Sequence, residues 1–451
     1  MSEAVTSVAG QSVNRLASSG ISGITVAGFK SIANEQSIEV RPLTILAGAN
    51  SSGKTSFLQP LLLLKQTLEA PYDPGPLLLD GPNVKFTSGQ QFLSRLADGR
   101  SVYNFDIGVR VEANSEVTVI FKHEPRKGFR IFQEVIVGSD SRKVGLLPGK
   151  GKDEIGTTWQ VESDGVWRNV TTDFGSEFAV VRNRCFLTWI EKAKGSQVGA
   201  PVSYLRALLE LLVAYIQGLI HVPGLRGNPE RAYPLTAVGP LFPGTFEKYV
   251  ASVIARWRSD GDEAPLRDLN RQLGSVGLAT RIAAMPINEV QVELRVPRLL
   301  RTERDASNDL VNISDVGFGV SQTLPVLVAL LAAKPGQAVY IEQPEIHLHP
   351  RAQVRLADVL AEAAKRGVRV IAETHSSLLL RAVQTLVAKG ELSPDLVKLH
   401  WFVRNENDGS TEVRSAELDE QGAYGDWPMD FDDVELRSEG DYLDAVGFGK
   451  K

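Results

Sequence analysis

The sequence of 451 residues has little of several features that would define its class. It contains one cysteine, Cys185, which excludes an internal disulfide and a zinc cluster made of cysteines. A single cysteine fits a reducing compartment, and Cys185 is more simply explained as a small buried residue than as a nucleophile. The longest apolar run, residues 324–333, is shorter than the roughly 18 residues of a membrane span. It also contains Pro325, so we expect a buried helix there and no membrane association.

The N-terminal segment also lacks a basic region followed by an apolar region, so it does not resemble a secretory signal. We therefore expect a flexible tail over residues 1–22 and a cytoplasmic location. The chain is long enough for about three domain units. Its 43% hydrophobic and 23% charged residues are typical of a soluble globular protein.

The net charge of −5 is unevenly distributed. Residues 411–445 contain twelve acidic residues against Arg414 and Arg437, a net charge of −10, which leaves +5 on the rest of the chain. The acidic segment, which we define as residues 411–451, is either a solvated tail or a surface that docks on a partner or mimics nucleic acid.

Hydrophobic periodicity divides the first 300 residues into two segments. Residues 23–100 contain two predicted strands followed by the helical stretch SFLQPLLLLKQTL, which Pro60 should kink or shorten. Residues 101–300 begin with alternating apolar and polar residues, which predict an antiparallel sheet with one solvated face. Helical patterns follow over residues 204–220 and 246–257.

Residues 301–410 alternate between strand and helix patterns twice, which predicts parallel strands joined by crossover helices. The strand before residue 48 needs the same kind of sheet. We infer one α/β core in which residues 23–100 and 301–410 come together around a mixed insertion.

Residues 48–55, GANSSGKT, match the pattern G-x-x-x-x-G-K-[ST] in full and lie between a predicted strand and a predicted helix. In such a phosphate-binding loop (P-loop), glycines let backbone N–H groups approach the phosphates, and the helix N-terminus adds partial positive charge. Lys54 would reach the β and γ oxygens, and Thr55 would offer its hydroxyl to Mg²⁺. The predicted nucleotide-binding residues of this loop are Gly48, Asn50, Ser51, Ser52, Gly53, Lys54, Thr55 and Ser56.

Acidic and histidine side chains follow two later apolar strands. Glu342 ends the run AVYIE, where a strand beside the P-loop should present a ligand for Mg²⁺ and its waters, although an acid at a strand end is often merely solvated. Glu345 lies one short loop later, close enough to orient or deprotonate an attacking water. His375 follows VRVIAET, at the edge where parallel sheets bind ligands, and is either a γ-phosphate contact or a structural residue.

Two weaker features lie between these motifs. His347 and His349 have an H-x-H spacing that suggests a metal, but no further histidine or cysteine cluster accompanies them. Residues 314–322 form a loop of small residues that opens into an apolar helix, and its two glycines before a helix N-terminus are compatible with an anion site.

The order of these motifs resembles the ATP-binding-cassette (ABC) class of P-loop ATPases. GFKSI with LTILAGANSSGKTS, and IEQPEIHLHP with ETHSS, are similar to prokaryotic ATPases related to the overcoming-lysogenization-defect (OLD) nucleases. GLRGNPERAYP and GDWPMDF resemble landmarks of the subgroup with a C-terminal domain of unknown function. The resemblance is specific over residues 22–60 and 310–380.

The resemblance implies an α/β fold, a P-loop NTPase of ABC-ATPase-head type, whose discontinuous core sheet carries an antiparallel β plus helical insertion. It implies ATP and Mg²⁺ as ligands, held by Lys54 and Thr55. Glu342 takes the Walker B position, where it would bind the metal, and His375 takes the switch-histidine position.

The resemblance also implies a homodimer or higher homo-oligomer in which ATP lies between two protomers that face head to tail. Gly317 and Gly319 would then cap the γ-phosphate bound to the partner protomer. Gln90 or Gln91 would be the glutamine of the Q-loop.

Two departures from the family pattern bear on activity. The Leu-Ser-Gly-Gly-Gln signature of transport cassettes is absent from the sequence, which argues against a membrane transporter. Gln343 stands where a cassette ATPase usually has its catalytic glutamate. An amide can position water but cannot accept its proton, so either Glu345 substitutes or turnover is slow. Related nucleases carry a metal-binding Toprim domain, and Asp430 and Asp432 have only its spacing, so nuclease activity is not expected.

Three functional hypotheses remain open at this stage. The first is an ATPase that dimerises on ATP and gates a separate effector protein, in phage defence or DNA repair by resemblance. The second is a nearly inactive ATP-binding scaffold that uses the acidic segment for docking. The third is direct binding of nucleic acid, which would rest on the net charge of +5 outside residues 411–445 and on Arg226 and Arg231. These two arginines also suit salt bridges or phosphate contacts.

Overall fold

The computed structural model describes residues 20–95, 99, 101–111, 115–138, 143–148, 159–163, 166–169, 178–191, 200–298, 309–425, 440–443 and 446. Most of the predicted N-terminal tail, much of the acidic segment and the pair Asp430 and Asp432 lie outside this range.

The described α-helices are α1 (Lys54–Glu69), α2 (Ala200–Gly218), α3 (Val250–Ser259), α4 (Glu263–Ser275), α5 (Phe318–Ala332), α6 (Pro350–Lys365) and α7 (Ser377–Ala388). Short 3-10 turns occur at Gly89–Gln91, Phe246–Tyr249, Ile313–Asp315 and Pro394–Leu396.

A six-stranded core sheet positions the candidate site. Its strands are β3 (Leu43–Gly48), β12 (Ile220–Val222), β17 (Ala338–Glu342), β18 (Arg369–Thr374), β19 (Val397–Arg404) and β20 (Thr411–Ala416). In space their order is β12-β17-β18-β3-β19-β20, and all pairs are parallel except the last. Because the strands come from both ends and the middle of the chain, the predicted α/β class and discontinuous core are confirmed.

A second, antiparallel sheet has eight strands. They are β1 (Ile21–Ala27), β2 (Gln36–Glu39), β4 (Asn104–Val111), β5 (Glu116–Glu124), β6 (Gly128–Val137), β7 (Lys143–Leu146), β8 (Trp159–Ser163) and β9 (Val166–Asn169). Their spatial order is β2-β1-β4-β5-β6-β7-β8-β9, so the predicted antiparallel sheet exists and also takes in β1 and β2 from the N-terminal part.

Two smaller sheets complete the described strands. One is the hairpin of β10 (Phe178–Asn183) and β11 (Phe186–Glu191). The other contains β13 (Tyr233–Pro234), β14 (Ala283–Pro286), β15 (Gln291–Pro297) and β16 (Leu310–Asn312).

Alternate residues of the core strands point to opposite sides of the core sheet. Leu46 and Ile371 join a hydrophobic cluster that includes α1 and the eight-stranded sheet. Ile45 and Ala372 join the cluster on the other side, which includes α5, α6 and α7. The sheet is therefore covered on both faces, as parallel sheets require. This order, with β3 separated from β17 by β18, makes an α/β core whose strands come from distant parts of the chain.

The structure departs from the sequence predictions at three places. The helical pattern predicted over 204–220 ends at Gly218, and the next residues form β12 of the core sheet. The acidic segment supplies β20 at the sheet edge. Pro60 does not shorten α1, which continues to Glu69 with buried leucines on both sides of the proline; the kink expected as the alternative stays a prediction. The domain boundaries at 22, 100, 300 and 410 stay predictions.

The expected buried character of two other features is confirmed. Cys185 is fully buried, and burial raises the pKa of its thiol far above the usual value, as expected of a packing residue rather than a nucleophile. Residues 324–330 are buried within α5, and Leu331 and Ala332 are partly buried. Among the described residues, no helix is long and apolar enough to cross a membrane.

Candidate functional site

The loop between β3 and α1 has a backbone that only glycine tolerates at two positions. Gly48 has φ 144° and Gly53 has φ 104°. A Cβ at Gly48 would lie 2.4 Å from the Phe402 carbonyl oxygen, and one at Gly53 would lie 2.4 Å from Thr411 Oγ1. The two glycines of the motif are therefore required by close packing against β19 and β20 as well as by dihedral angle.

Lys54 is the first residue of α1 and turns its side chain back into the loop. Its Nζ donates to the carbonyls of Gly48 (2.9 Å) and Ala49 (2.7 Å), and the residue is almost fully buried. Burial lowers the pKa of Lys54 to about 8, against the opposing effect of nearby Glu373 and Glu345. The ammonium group thus lies at the centre of the loop, where it can exchange carbonyl oxygens for phosphate oxygens.

Thr55 contacts a carboxylate that the sequence analysis did not select. Its Oγ1 donates to Glu373 Oε1 at 2.6 Å, and the Tyr340 hydroxyl donates to Glu373 Oε2 at 2.8 Å. Burial raises the pKa of Glu373 above its usual value, although the hydrogen bonds from Thr55 and Tyr340 partly oppose this shift. Glu373 ends the apolar run VRVIAE, so the rule that selected Glu342 would also have found it.

Glu342 lies one strand further from the P-loop than expected, because β18 separates β17 from β3. Both of its carboxylate oxygens already have partners: Oε1 is 3.0 Å from His221 Nε2, and Oε2 accepts from Gly224 N at 3.0 Å. Burial alone would raise the pKa of Glu342, but the hydrogen bonds from His221 and Gly224 hold it below its usual value.

Glu345 and His375 are adjacent. Glu345 Oε1 accepts from the backbone N–H of His375 at 2.8 Å, and burial raises the pKa of Glu345. Burial and the nearby Lys54 lower the pKa of His375, so its ring is neutral at pH 7. Glu345 therefore lies behind the loop that carries His375 and fixes its backbone.

These elements open onto a cleft of about 900 Å³. Its lining includes all the predicted P-loop residues except Gly48, together with Gln90, Gln91, Gln343, Glu373 and His375. Glu342 and Glu345 do not line it. Lys30, Lys54, Arg95 and Arg404 outnumber Glu373 and Asp408 among the charged residues of the lining, so the cleft suits a polyanion.

Two glutamines at the cleft differ in backbone and contacts. Gln343 has φ 44°, an unusual value for a residue other than glycine, and its N–H donates to the Glu373 carbonyl at 2.8 Å. Gln91, the predicted Q-loop residue, binds Thr87 with its amide group and is exposed to the cleft. Gln343 thus lines the cleft, whereas the neighbouring Glu342 does not.

The small-residue segment 314–322 forms the start of α5 and lies outside this cleft. Gly317 precedes the helix and a Cβ there would meet nothing, while a Cβ at Gly319 would press on Leu278 at 3.1 Å. Between them Phe318 is half exposed. Gly317 and Phe318 are exposed, Gly319 is partly exposed, and none of the three lines the cleft of its own protomer.

Arg226 links the start of α5 to the end of β17. It is buried, and it donates to the carbonyls of Gln322 (3.0 Å), Glu342 (2.6 Å) and Gln343 (3.2 Å). Burial lowers its pKa to about 10. Arg231 pairs with Asp315 at 2.7 Å. Arg226 is thus held inside the protein, whereas Arg231 is paired but exposed, so direct nucleic-acid binding stays a prediction.

His347 and His349 do not form a metal site together. His349 caps α6 by accepting from Arg351 N, and the His347 ring packs near Phe318. Within the described ranges, no group of three or more His, Cys, Asp or Glu side chains could hold a metal ion by itself.

Residues 186–381 match the family model described as "AAA domain, putative AbiEii toxin, Type IV TA system", which covers less than half of the chain and excludes the P-loop. No curated protein matches the chain.

Solved structures of SMC heads are similar to it at low identity. One is the SmcHead bound to the C-winged helix domain of ScpA (14% identity, 89% of this chain and 98% of that chain, TM-score 0.45). Another is the SMC head domain from Thermotoga maritima (11%, 88% and 100%, 0.36). A third is the Pyrococcus furiosus Smc head domain with an extended coiled coil, bound to the C-terminal domain of ScpA (12%, 93% and 99%, 0.44). Residues 186–381 are thus similar to an AAA domain.

Proposed function

We propose that the protein binds ATP in the cleft around residues 48–56 and hydrolyses it slowly. The observation that carries this proposal is the position of Lys54, buried beneath the loop and bonded to the carbonyls of Gly48 and Ala49. A buried ammonium that donates to loop carbonyls is ready to donate to phosphate oxygens instead, and the surrounding cationic cleft favours a triphosphate.

Mg²⁺ fits the residues of the cleft. Thr55 and Glu373 place a hydroxyl and a carboxylate side by side at its wall, and oxygen donors of this kind are what Mg²⁺ prefers. When bound, the ion neutralises charge on the phosphates. Of the metal ligands predicted from sequence, Thr55 lines the cleft and Glu342 does not.

Gln343 and His375 would act on the attacking water and the γ-phosphate, and Glu345 would support His375. Gln343 faces the cleft and can orient the water by hydrogen bonds, and neutral His375 can contact the γ-phosphate. The Glu345 carboxylate accepts a hydrogen bond from the backbone N–H of His375. Glu345 does not line the cleft, so it is poorly placed to take a proton from the attacking water. We therefore expect low turnover, because the amide of Gln343 cannot act as a general base for the water.

The ATP-bound form is proposed to be a head-to-tail homodimer. Gly317 and Gly319 lie on the surface away from the cleft of their own protomer, which supports their contacting ATP on a partner. Dimerisation would then gate a separate effector protein. A role in phage defence or DNA repair rests on the family resemblance alone.

The test is phosphate release by the wild type, Glu342→Gln and Glu345→Gln, with light scattering to follow dimerisation. We expect slow release by the wild type and ATP-dependent dimers. If none of the three proteins releases phosphate, the enzymatic proposal fails.

A nearly inactive scaffold is the second candidate, and the amide of Gln343 at the cleft favours it. Gln343→Glu separates the two. If the rest of the site is competent, the new carboxylate raises turnover at least tenfold, since a general base typically contributes about 10²–10⁴-fold. No gain in Gln343→Glu, together with undetectable release by the wild type, supports the scaffold.

A further inference from the structure

A second cavity lies apart from the nucleotide cleft. It has a volume of about 500 Å³, which is within the range of small-molecule sites. Residues of the loop 226–236, of the turn before α3 and of the start of α5 line it, and none of them lines the nucleotide cleft. The second cavity is therefore a separate place at which a ligand could bind.

Part of the wall of the second cavity is apolar and aromatic. Leu294, Ile313 and Leu324 are buried and line it, together with the partly buried Tyr233 and Tyr249. Tyrosine rings pack well against other planar rings, and nucleobases stack readily on aromatic side chains. This wall thus suits a ligand with a planar, largely apolar body.

The charges that line the second cavity cancel. They are the cations Arg226 and Lys248 and the anions Glu230 and Glu247, whereas cations outnumber anions in the nucleotide cleft. The second cavity therefore gives a phosphate group little electrostatic attraction and favours a ligand without net charge. Asn228, Glu230 and Lys248 are exposed and form its polar mouth.

Two residues of this wall each have a buried polar atom without a hydrogen-bond partner in the described part of the chain. The atoms are Arg226 Nε and Glu247 Oε2, and Arg226 is only 7% exposed. Burial lowers the pKa of Arg226 and the nearby Glu247 partly opposes this shift, so the two groups are close. A buried polar atom without a partner is costly, and a ligand that supplied one would be favoured.

The two unpartnered atoms define the polar edge of the ligand. Arg226 Nε is a donor and Glu247 Oε2 is an acceptor, so the ligand needs an acceptor and a donor on one edge. Nucleobases have such edges. Because both atoms are buried, we expect the two side chains to turn towards the ligand as it binds.

Arg226 also connects the second cavity with the nucleotide site. Its guanidinium donates to the carbonyls of Glu342 (2.6 Å) and Gln343 (3.2 Å), and Gln343 lines the nucleotide cleft. A ligand that draws the Arg226 side chain towards the second cavity would therefore alter the support of Gln343.

We propose that the second cavity binds an uncharged nucleoside, with its base on the apolar wall and its sugar at the polar mouth, and that Arg226 transmits this binding to Gln343. The transmission rests on the proposed ATP reaction, whereas the binding does not.

The test is isothermal titration calorimetry of the full chain with adenosine, guanosine, cytidine and uridine. We expect at least one of them to bind with a Kd below about 1 mM, and a nonhydrolysable ATP analogue not to displace it. Glu247→Gln should weaken binding about tenfold or more, because Oε1 keeps its bond from Thr245 while a donor replaces Oε2. Glu230→Gln at the mouth is the matched control and should weaken it less than about threefold.

A variant that fills the second cavity leaves its charges unchanged. Thr236 is exposed and lines the cavity, so Thr236→Trp should abolish nucleoside binding while urea unfolding shows that the protein still folds. The inference is overturned if none of the four nucleosides binds with a Kd below about 1 mM, if the ATP analogue displaces the nucleoside, or if the two Gln variants weaken binding equally.

Phosphate release with and without the bound nucleoside tests the transmission. We expect the rate to change about twofold or more in the wild type and not to respond in Glu247→Gln. Unchanged release by a wild type that binds the nucleoside overturns the transmission. Absence of any release would instead refute the proposed enzymatic function and leave the binding result standing.

Discussion

The pKa of Lys54 predicts how ATP affinity depends on pH. In the free protein burial lowers this pKa to about 8, and the ammonium must be charged to hold phosphates. Below pH 8 Lys54 is already charged, so binding takes up no proton there. Above pH 8 the free protein holds a neutral amine, and binding must take up a proton.

The magnitude follows from this linkage. One pKa unit corresponds to about 1.4 kcal/mol, so ATP affinity should fall about tenfold for each pH unit above 8 until the pKa of the bound state is reached. At pH 9 the uptake should be about 0.9 proton per ATP bound, from the fraction of Lys54 that is neutral at that pH. Protonation of ATP itself does not interfere, since its phosphates are fully ionised above pH 8.

Isothermal titration calorimetry at pH 7, 8 and 9, in two buffers with different ionisation enthalpies, measures both quantities. Lys54→Met should lower ATP affinity at pH 7 about a hundredfold or more, since a charge-assisted hydrogen bond contributes about 1.5–3 kcal/mol and Lys54 would make at least two. Lys248→Met, an exposed site outside the cleft, is the control. Affinity that is unchanged between pH 7 and 9 in the wild type would refute the reasoning.

Three further predictions concern stability. Gly53→Ala should cost about 1–3 kcal/mol, because φ 104° and the contact with Thr411 both oppose a Cβ, and should weaken ATP binding; urea unfolding and calorimetry check this. Arg226→Met should cost about 2–4 kcal/mol in urea unfolding, because one buried and two partly buried carbonyls lose their donor, and a cost below 0.5 kcal/mol would contradict it. Burial holds the pKa of His400 at about 4, below its unfolded value, so stability present above pH 6.5 is lost as the pH falls towards 4. At pH 5 the loss should be about 2 kcal/mol relative to pH 7, and His400→Leu should lack this component.

The sequence predicted the P-loop because all residues of this motif are neighbours in the chain. A strand, a tight glycine loop and a helix are consecutive in the chain, so the motif predicts both the geometry of residues 48–55 and the place of Lys54. The two-faced burial of β17 and β18 was also predictable, since near-continuous apolar runs separated by an amphipathic helix indicate parallel strands.

The assignment of the acids was not predictable in the same way. Glu342 and Glu373 both end apolar strands, and only the spatial order of β17, β18 and β3 decides which lies beside Thr55. Strand order is set by long-range packing. The short strand β12 was missed for a related reason: three residues after a helix carry little periodicity, and pairing with β17 defines them.

The most direct measurement is a crystal structure of the full chain with a nonhydrolysable ATP analogue and Mn²⁺. The account predicts the triphosphate in the loop of residues 48–56, with Lys54 Nζ on phosphate oxygens. It also predicts Mn²⁺ beside Thr55 and Glu373, and Gly317 and Gly319 of a second copy over the γ-phosphate. A nucleotide bound outside the cleft, or bound there with Lys54 still on the Gly48 and Ala49 carbonyls, would contradict it.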